Sequence, residues 1–356
     1  MIKVGIIGMG RSGWELHAAP LSRMPGYRVE AVCDQSEVRR EQAAQQFGAR
    51  PYDDPHQLIA DGELDLVVVA VPGNLHTTLT VAALEAGKDV VVEKPMANTL
   101  AQADEMLAAA EHSARLLTVF HNRRWDRDYQ LVKTLVQSGE IGELLTIDSR
   151  VMTYGPEWAT YGVAEFNPTW RTQAAYGGGF LTDWGPHLVY QCLELVGEWP
   201  ESVSCQLRSH LWATEVDDYF NVRLSFPSGL LATLEGSNNA RIPLPRWCIV
   251  GRQGTLVAEG AWGRWTEMRV RRSAGELVMD VLPQDIGPSS GARGMDVGEE
   301  LSAHFYGDLA QAMAEGRPPA ITAACARDVI AVLEAARRSH EIGSVVAVPS
   351  PVSASV

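Results

Sequence analysis

Ile2-Lys3-Val4-Gly5-Ile6-Ile7-Gly8-Met9-Gly10-Arg11-Ser12-Gly13 opens the chain with a β-rich run that breaks into three spaced glycines, and a helical stretch over 14–24 follows. The order is strand, G-x-G-x-x-G, helix. Each glycine has its own task there: Gly8 permits the tight turn, Gly10 lets the backbone approach a pyrophosphate, and Gly13 lets helix pack on strand. Unpaired amides where the helix begins, at Arg11 and Ser12, are donors for phosphate oxygens. Glycine-rich turns are common, so the motif needs support from its neighbours. The next strand supplies it: Val29-Glu30-Ala31-Val32-Cys33-Asp34 ends in an acid 21 positions after Gly13, where a carboxylate would bond ribose hydroxyls. Asp34 repels a 2′-phosphate and favours NAD; Arg11, Arg39 and Arg40 are near enough in sequence to accept one, which keeps NADP as the alternative.

Working outward, β and α patterns alternate. A helix is expected over 36–47, a strand over 64–71, a helix over 77–86, a strand ending at Lys94, a helix over 100–112 and a strand over 116–120. Repeated β-α units of this kind build a doubly wound parallel sheet. Right-handed crossovers place the strand exits along one edge. On that edge fall Val71-Pro72-Gly73-Asn74, Glu93-Lys94-Pro95 and His121-Asn122-Arg123-Arg124. Lys94 ends the apolar run Val90-Val91-Val92, so it sits where such a sheet opens to a ligand. An ammonium there donates to a substrate oxygen, and its pKa falls when it is desolvated. The plain alternative is a solvated Lys-Pro turn.

After Arg124 the pattern changes. One helix over 126–137 precedes strands expected over 144–154, 202–211, 219–226, 230–236, 247–250, 255–259, 268–271 and 277–282, mostly joined by short turns such as Pro227-Ser228-Gly229. This reads as a large, mostly antiparallel open sheet in an α+β domain. The expected division is a dinucleotide-binding Rossmann domain over 1–122 and a substrate-binding and oligomerisation domain over 123–356, with helices over about 299–340 packing back. A sheet covered by helices on one face leaves the other for a second copy, so a homodimer or homotetramer is expected. Between the first two strands lies Tyr176-Gly177-Gly178-Gly179-Phe180-Leu181-Thr182-Asp183-Trp184-Gly185-Pro186-His187. The glycines open a helix on which Asp183 and His187 are spaced i, i+4 and share a face. A carboxylate beside an imidazole orients it for proton exchange near neutral pH. The spacing alone favours a core histidine bonded to an aspartate inside a helix, and Pro186 argues for an irregular helix.

Composition bounds the class. The 356 residues, 46% hydrophobic and 21% charged, suit two globular domains. The longest apolar runs, such as 64–72, are far short of the roughly 20 residues of a membrane span. No charged, apolar and small-residue leader opens the chain, and the five cysteines are scattered without C-x-x-C spacing; both fit a cytoplasmic location and no metal site. A net charge of −14 opposes nucleic acid and leaves a small molecule as partner.

Taken together, the chain resembles the glucose-fructose oxidoreductase and inositol dehydrogenase family, Gfo/Idh/MocA, along essentially its whole length. The motifs are the glycine loop at Gly8 to Gly13, Asn74-Leu75-His76 with Ala86-Gly87-Lys88, Glu93-Lys94-Pro95, and the helix from Gly178-Gly179 through Asp183 to His187. Phe120-His121-Asn122-Arg123-Arg124-Trp125-Asp126 further resembles a bacterial branch that includes scyllo-inositol dehydrogenases. The resemblance implies an NAD(P)-dependent dehydrogenase or reductase acting on a sugar, inositol or related polyol. On that implication His187 takes the hydroxyl proton, Lys94 bonds the same oxygen, and Asp183 positions substrate and base. Val71, Pro72, Asn74, His76, Glu93, Asn122, Trp170 and Arg171 would line the cofactor; Arg124, Tyr154 and Trp170 would touch substrate. Trp158 could stack on a sugar ring and Tyr161 could bond its hydroxyls. That branch lacks an acid at the end of its second strand and uses NADP, so Asp34 marks a departure. Two other functions remain: an NAD-dependent glycoside hydrolase of the same fold, and a non-catalytic nucleotide sensor, which would need only the glycine loop.

Overall fold

The structure is a computed structural model, and it describes residues 1–155, 169–261, 264–272, 275–279 and 295–353. The first sheet is built from β1 (Ile2–Ile7), α1 (Ala19–Arg23), β2 (Tyr27–Cys33), α2 (Glu37–Phe47), β3 (Arg50–Tyr52), α3 (Pro55–Ile59), β4 (Leu66–Val69), α4 (His76–Glu85), β5 (Asp89–Val92), α5 (Leu100–Ser113) and β6 (Leu117–Val119). Its six strands are all parallel, in the order β3-β2-β1-β4-β5-β6. Central strands of such a sheet are covered on both faces, which is why Leu66–Val69 and Val90 to Val92 are uniformly apolar and fully buried. Strand order reverses between β1 and β4, and the crevice outside that switch point is where an open α/β sheet takes its ligand.

Two features differ from the expected pattern. β3 and α3 were not anticipated, because Arg50-Pro51-Tyr52 is too short to show alternation. The single helix expected over 14–24 is a widened π-helical turn, Ser12–Ala18, followed by α1. Pro20 lies in the first turn of α1 and has no N–H to give back to the preceding turn, so a regular helix cannot run through it.

The second sheet contains β7 (Leu144–Met152), β8 (Ser202–Arg208), β9 (Tyr219–Ser225), β10 (Leu231–Ser237), β11 (Trp247–Gly251), β12 (Gly254–Ala261), β13 (Arg264–Arg272), β14 (Gly275–Met279) and β15 (Val346–Ala347). The order is β14-β13-β12-β11-β7-β10-β9-β8-β15. It is antiparallel except for β10 with β7, which run parallel because helix and hairpin intervene between them. Phe220, Val222, Leu224, Leu234, Trp247 and Ile249 alternate inward and are fully buried, whereas Asp148, Arg150, Arg223 and Glu235 alternate outward. The inner face packs against α7 (Phe180–Val196) and, at β8, against the C-terminal α9 (Ala323–Ile342). The helix α6 (Arg127–Gln137) precedes the sheet, and α8 (Met295–Glu315) returns to lie on the π-helical turn and α1. Specific bonds tie α9 and the segment before it to the first sheet: Thr118 Oγ1 donates to Ile321 O at 2.7 Å, Leu100 N to Glu334 Oε2 at 2.8 Å, and Arg327 pairs with Asp104 at 2.7 Å. The end of the strand expected over 277–282 falls outside the described residues, as do Trp158 and Tyr161.

Candidate active site

The glycine loop shows why its residue types are required. Gly8 has φ +94°, and a Cβ there would lie 2.4 Å from the Ala70 carbonyl oxygen. A Cβ on Gly13 would come within 1.8 Å of the Gly8 oxygen, so the π-helical turn can sit on β1 only without a side chain. Gly10 meets nothing within 4 Å and faces a cleft of about 580 Å³. That open floor beside the first helical turn fits a pyrophosphate, and the residues present therefore suit a dinucleotide.

Of the residues expected on the cofactor and substrate, the cleft is lined by Gly8, Gly10, Arg11, Ser12, Asp34, Val71, Pro72, His76, Glu93, Lys94, Trp170, Arg171 and Asp183. At one end the Asp34 carboxylate accepts N–H from Met9 at 2.7 Å and from Ser36 at 2.8 Å, and Arg39 stands 3.7 Å away. Arg40 is turned from the carboxylate to bond the carbonyls of Asp34 and Gln35. His76 is buried, with its ring nitrogens 2.8 Å and 2.9 Å from the carbonyls of Pro95 and Val71; burial pushes its pKa down. It therefore acts as a clamp between two strand exits.

At the other end the Lys94 ammonium donates to Asp183 Oδ1 at 2.6 Å and to the Asp183 carbonyl at 2.9 Å. The strand exit of β5 thus meets α7 directly. Gly177 to Gly179 bring α7 in against Asp217, whose Oδ2 accepts the Leu181 N–H at 2.7 Å and whose carbonyl accepts that of Phe180 at 2.9 Å. A carboxylate in that place caps the helix and satisfies its first amides. Pro186 is accommodated, and α7 remains continuous over 17 residues. Burial alone would raise Asp183, but Lys94, Arg171 and Arg11 outweigh it and hold its carboxyl below the usual range. One turn on, His187 is buried and held well below its ordinary pKa by desolvation, with Lys94, Arg123, His121 and Arg246 adding to the effect. Its Nδ1 has no hydrogen-bond partner among the described residues. It is a neutral imidazole one turn of α7 beyond Asp183.

Other expected residues lie elsewhere. Asn74 is exposed, and its neighbours Gly73 and Leu75 face the cleft instead. Asn122 is buried beside His121 at the exit of β6. Arg124 is withdrawn from the cleft: its guanidinium donates to the Tyr190 hydroxyl at 2.6 Å and pairs with Glu194, which Lys133 and Tyr129 also hold. Charge compensation inside the α6 and α7 packing holds it there. Tyr154 is 39% exposed, stacked under Arg241 and bonded to it at 2.5 Å, so the structure does not bring it to the cleft either. Trp170 and Arg171 form the opposite wall, with the guanidinium 4.4 Å from the indole centroid.

Sequence reading missed several residues here. Asp53, Pro55 and Tyr176 line the cleft without belonging to any motif. His121 is 1% exposed, stacks on Tyr190 at 5.0 Å, stands 6.0 Å from the His187 ring, and has both ring nitrogens without a hydrogen-bond partner among the described residues. Burial and Lys94 push it down to about 3. His17 is fully buried behind Glu93, 3.2 Å from its carboxylate.

Comparison with known proteins agrees with this architecture. Residues 2–121 match the GFO_IDH_MocA oxidoreductase family with an NAD-binding Rossmann fold, and residues 129–257 match its C-terminal domain. The chain is 29% identical over 349 residues to scyllo-inositol 2-dehydrogenase (NADP(+)) IolW of Bacillus subtilis, covering 96% of this chain and 94% of that one. It is 34% identical over 259 residues to the uncharacterized oxidoreductase YdgJ of Escherichia coli K12, covering 73% and 71%. The solved structure of an NAD-binding protein from Listeria innocua superposes with a TM-score of 0.82 at 28% identity, over 98% of this chain and 97% of that one. With its glycine-lined cleft, its Lys94 to Asp183 contact and these matches across both sheets, the chain belongs to the Gfo/Idh/MocA family of oxidoreductases.

Proposed function

We propose that this chain transfers a hydride between a nicotinamide cofactor and a secondary carbinol of a cyclitol, sugar or related polyol. The observation that carries the reading is the Lys94 to Asp183 ion pair at 2.6 Å with neutral His187 one helical turn beyond it. A bound nicotinamide supplies the hydride acceptor or donor. The chain's own residues do the rest. Lys94 bonds the carbinol oxygen and stabilises negative charge that develops there, since an ammonium at a partly desolvated site acts through a low effective dielectric. His187 accepts the hydroxyl proton, for which it must begin neutral, and its burial keeps it so. Asp183 fixes the ammonium and, through α7, the distance from Lys94 to His187.

The Bacillus relative, a scyllo-inositol 2-dehydrogenase by name, supports a cyclitol among the candidate substrates. For the cofactor, Asp34 at the expected ribose end supports NAD, with Arg39 3.7 Å from its carboxylate. Self-association through the outer face of the second sheet belongs to the same proposal and is read by sedimentation. The test of the activity is a screen of inositols, aldoses and their oxidised forms with NAD, NADP and their reduced forms, following nicotinamide absorbance. Turnover of a polyol with Lys94→Ala and His187→Asn both impaired is expected. Normal turnover in both variants would contradict the assigned roles, and redox-neutral cleavage of a glycoside with bound NAD would favour the hydrolase instead.

A further inference from the structure

Behind Glu93 a chain of buried polar groups runs out of the cleft to α8. Glu93 Oε1 lies 3.2 Å from His17 Nε2, and His17 Nδ1 lies 2.6 Å from the Tyr306 hydroxyl. The Tyr306 carbonyl in turn accepts the Tyr27 hydroxyl at 2.8 Å. His17 is fully buried, in the π-helical turn of the glycine loop; Tyr306 is fully buried on α8, 289 residues away. Phe120 packs on the imidazole at 4.4 Å between ring centres. The hydrogens can be assigned. Burial holds Tyr306 well above its ordinary pKa, so its phenol keeps its proton and donates to Nδ1; Nε2 then carries the imidazole hydrogen and donates to Glu93. The opposite tautomer would leave a bare Nε2 lone pair against a carboxylate.

We infer that His17 is a positioning residue which holds Glu93 as a fixed, ionised carboxylate in the cleft and thereby biases the protein toward the oxidised, cationic form of the nicotinamide cofactor. This rests on the cofactor reading above. Asp34 marks the adenosine end of the cleft and Lys94 the reacting end, and Glu93 adjoins Lys94 while lining the same cleft. Oxidised nicotinamide carries a positive charge that the reduced ring lacks, so a buried anion at this end favours the oxidised ring. Glu93 is buried, and desolvation alone would protonate it; the hydrogen bond from His17 and the nearby Lys94 ammonium keep it below its usual range. The backbone N–H of Lys94 at 3.1 Å holds its second oxygen. Lys94 is itself neutralised by Asp183, which leaves the Glu93 charge to be felt.

The test is a titration of the purified full-length chain with NAD and, separately, with NADH, by calorimetry and by NADH fluorescence, in the absence of substrate. Binding of neither cofactor to the wild type would remove the cofactor reading itself. Given wild-type binding, His17→Leu is expected to lower the ratio of NAD to NADH affinity by about fivefold to tenfold, because a partly buried charge interaction is lost for one redox form only. His17→Gln keeps a donor toward Glu93 and an acceptor toward Tyr306 and is expected to restore most of the ratio. Tyr306→Phe deletes one hydroxyl far from the cofactor and is expected to shift the ratio in the same direction by about twofold to threefold; it carries the test should His17→Leu fail to fold. A parallel loss of both affinities in every variant, with the ratio unchanged, would make the relay purely structural and overturn the inference.

Discussion

At the scale of single residues, one carboxylate and two imidazoles carry the sharpest expectations. Asp34 holds the glycine loop through Met9 and Ser36 while presenting its charge to the ribose end. Asp34→Ser should therefore raise the kcat/KM ratio of NADP to NAD by about tenfold or more, as a buried repulsion of about 1.4 kcal/mol would dictate; an unchanged ratio would remove Asp34 from cofactor choice. His121, pushed down from 6.5 to about 3 by burial, is neutral in the folded chain. Unfolding restores its ordinary affinity for protons, so the unfolded chain binds more protons below about pH 6.5, and stability held above that pH is lost as pH falls toward 3. His187 acts in the same direction. Urea midpoints should thus fall between pH 7.5 and pH 5, and His121→Phe should flatten the fall. A wild-type midpoint independent of pH in that window would contradict the neutral assignment. These properties were only partly legible beforehand. Lys94, Asp183 and His187 stand in motifs, whereas the fate of Arg124 depends on Glu194, 70 residues distant, and that of Tyr154 on Arg241. Pairings across such separations leave no local pattern to read.

Between elements, the decisive contact is a helix start laid on a strand end. Gly13 and Gly10 separate packing from binding at that joint. Gly13→Ala would force a Cβ against the Gly8 carbonyl, and a loss of about 3 kcal/mol in stability is expected from such overpacking. Gly10→Ala meets no protein atom within 4 Å, so its melting temperature should stay near wild type while cofactor affinity falls about tenfold or more. Thermal melts and cofactor titration of the two variants distinguish the roles; a stable Gly13→Ala protein would undercut the packing account. Element positions followed the sequence where apolar runs were long or the helix pattern was clear, as in α5, whose start Thr99 caps from outside and Gln102 from its first turn. They did not where the signal was short or broken: β3 has three residues, and Pro20 converts an expected helix into a π-helical turn that carries His17 inward.

Over the whole molecule, the two sheets contribute unequally to one site. The first sheet supplies one wall of the cleft with Glu93 and Lys94; the helix lying on the second brings Asp183 to Lys94 and carries His187 one turn beyond; and α8 and α9 return to bind the first sheet from behind. The alternating β-α pattern and the later run of strands made that architecture legible, while the path of the closing helices was set by contacts such as Arg327 with Asp104 that no periodicity encodes. The outward face of the second sheet carries Asp148, Arg150, Arg223 and Glu235, so any self-association through it should weaken as salt rises. A sedimentation series from about 0.05 to 1 M salt, which shortens the screening length about fourfold to fivefold, reads this directly. The shared site is the central claim, and it is tested most directly by comparing wild type with Lys94→Ala for cofactor affinity and for turnover of a polyol at saturating cofactor. The account predicts cofactor affinity within about threefold of wild type and kcat lower by about a hundredfold or more, as loss of a charge stabiliser at the reacting oxygen requires. Abolished cofactor binding with unchanged turnover per bound cofactor would contradict it.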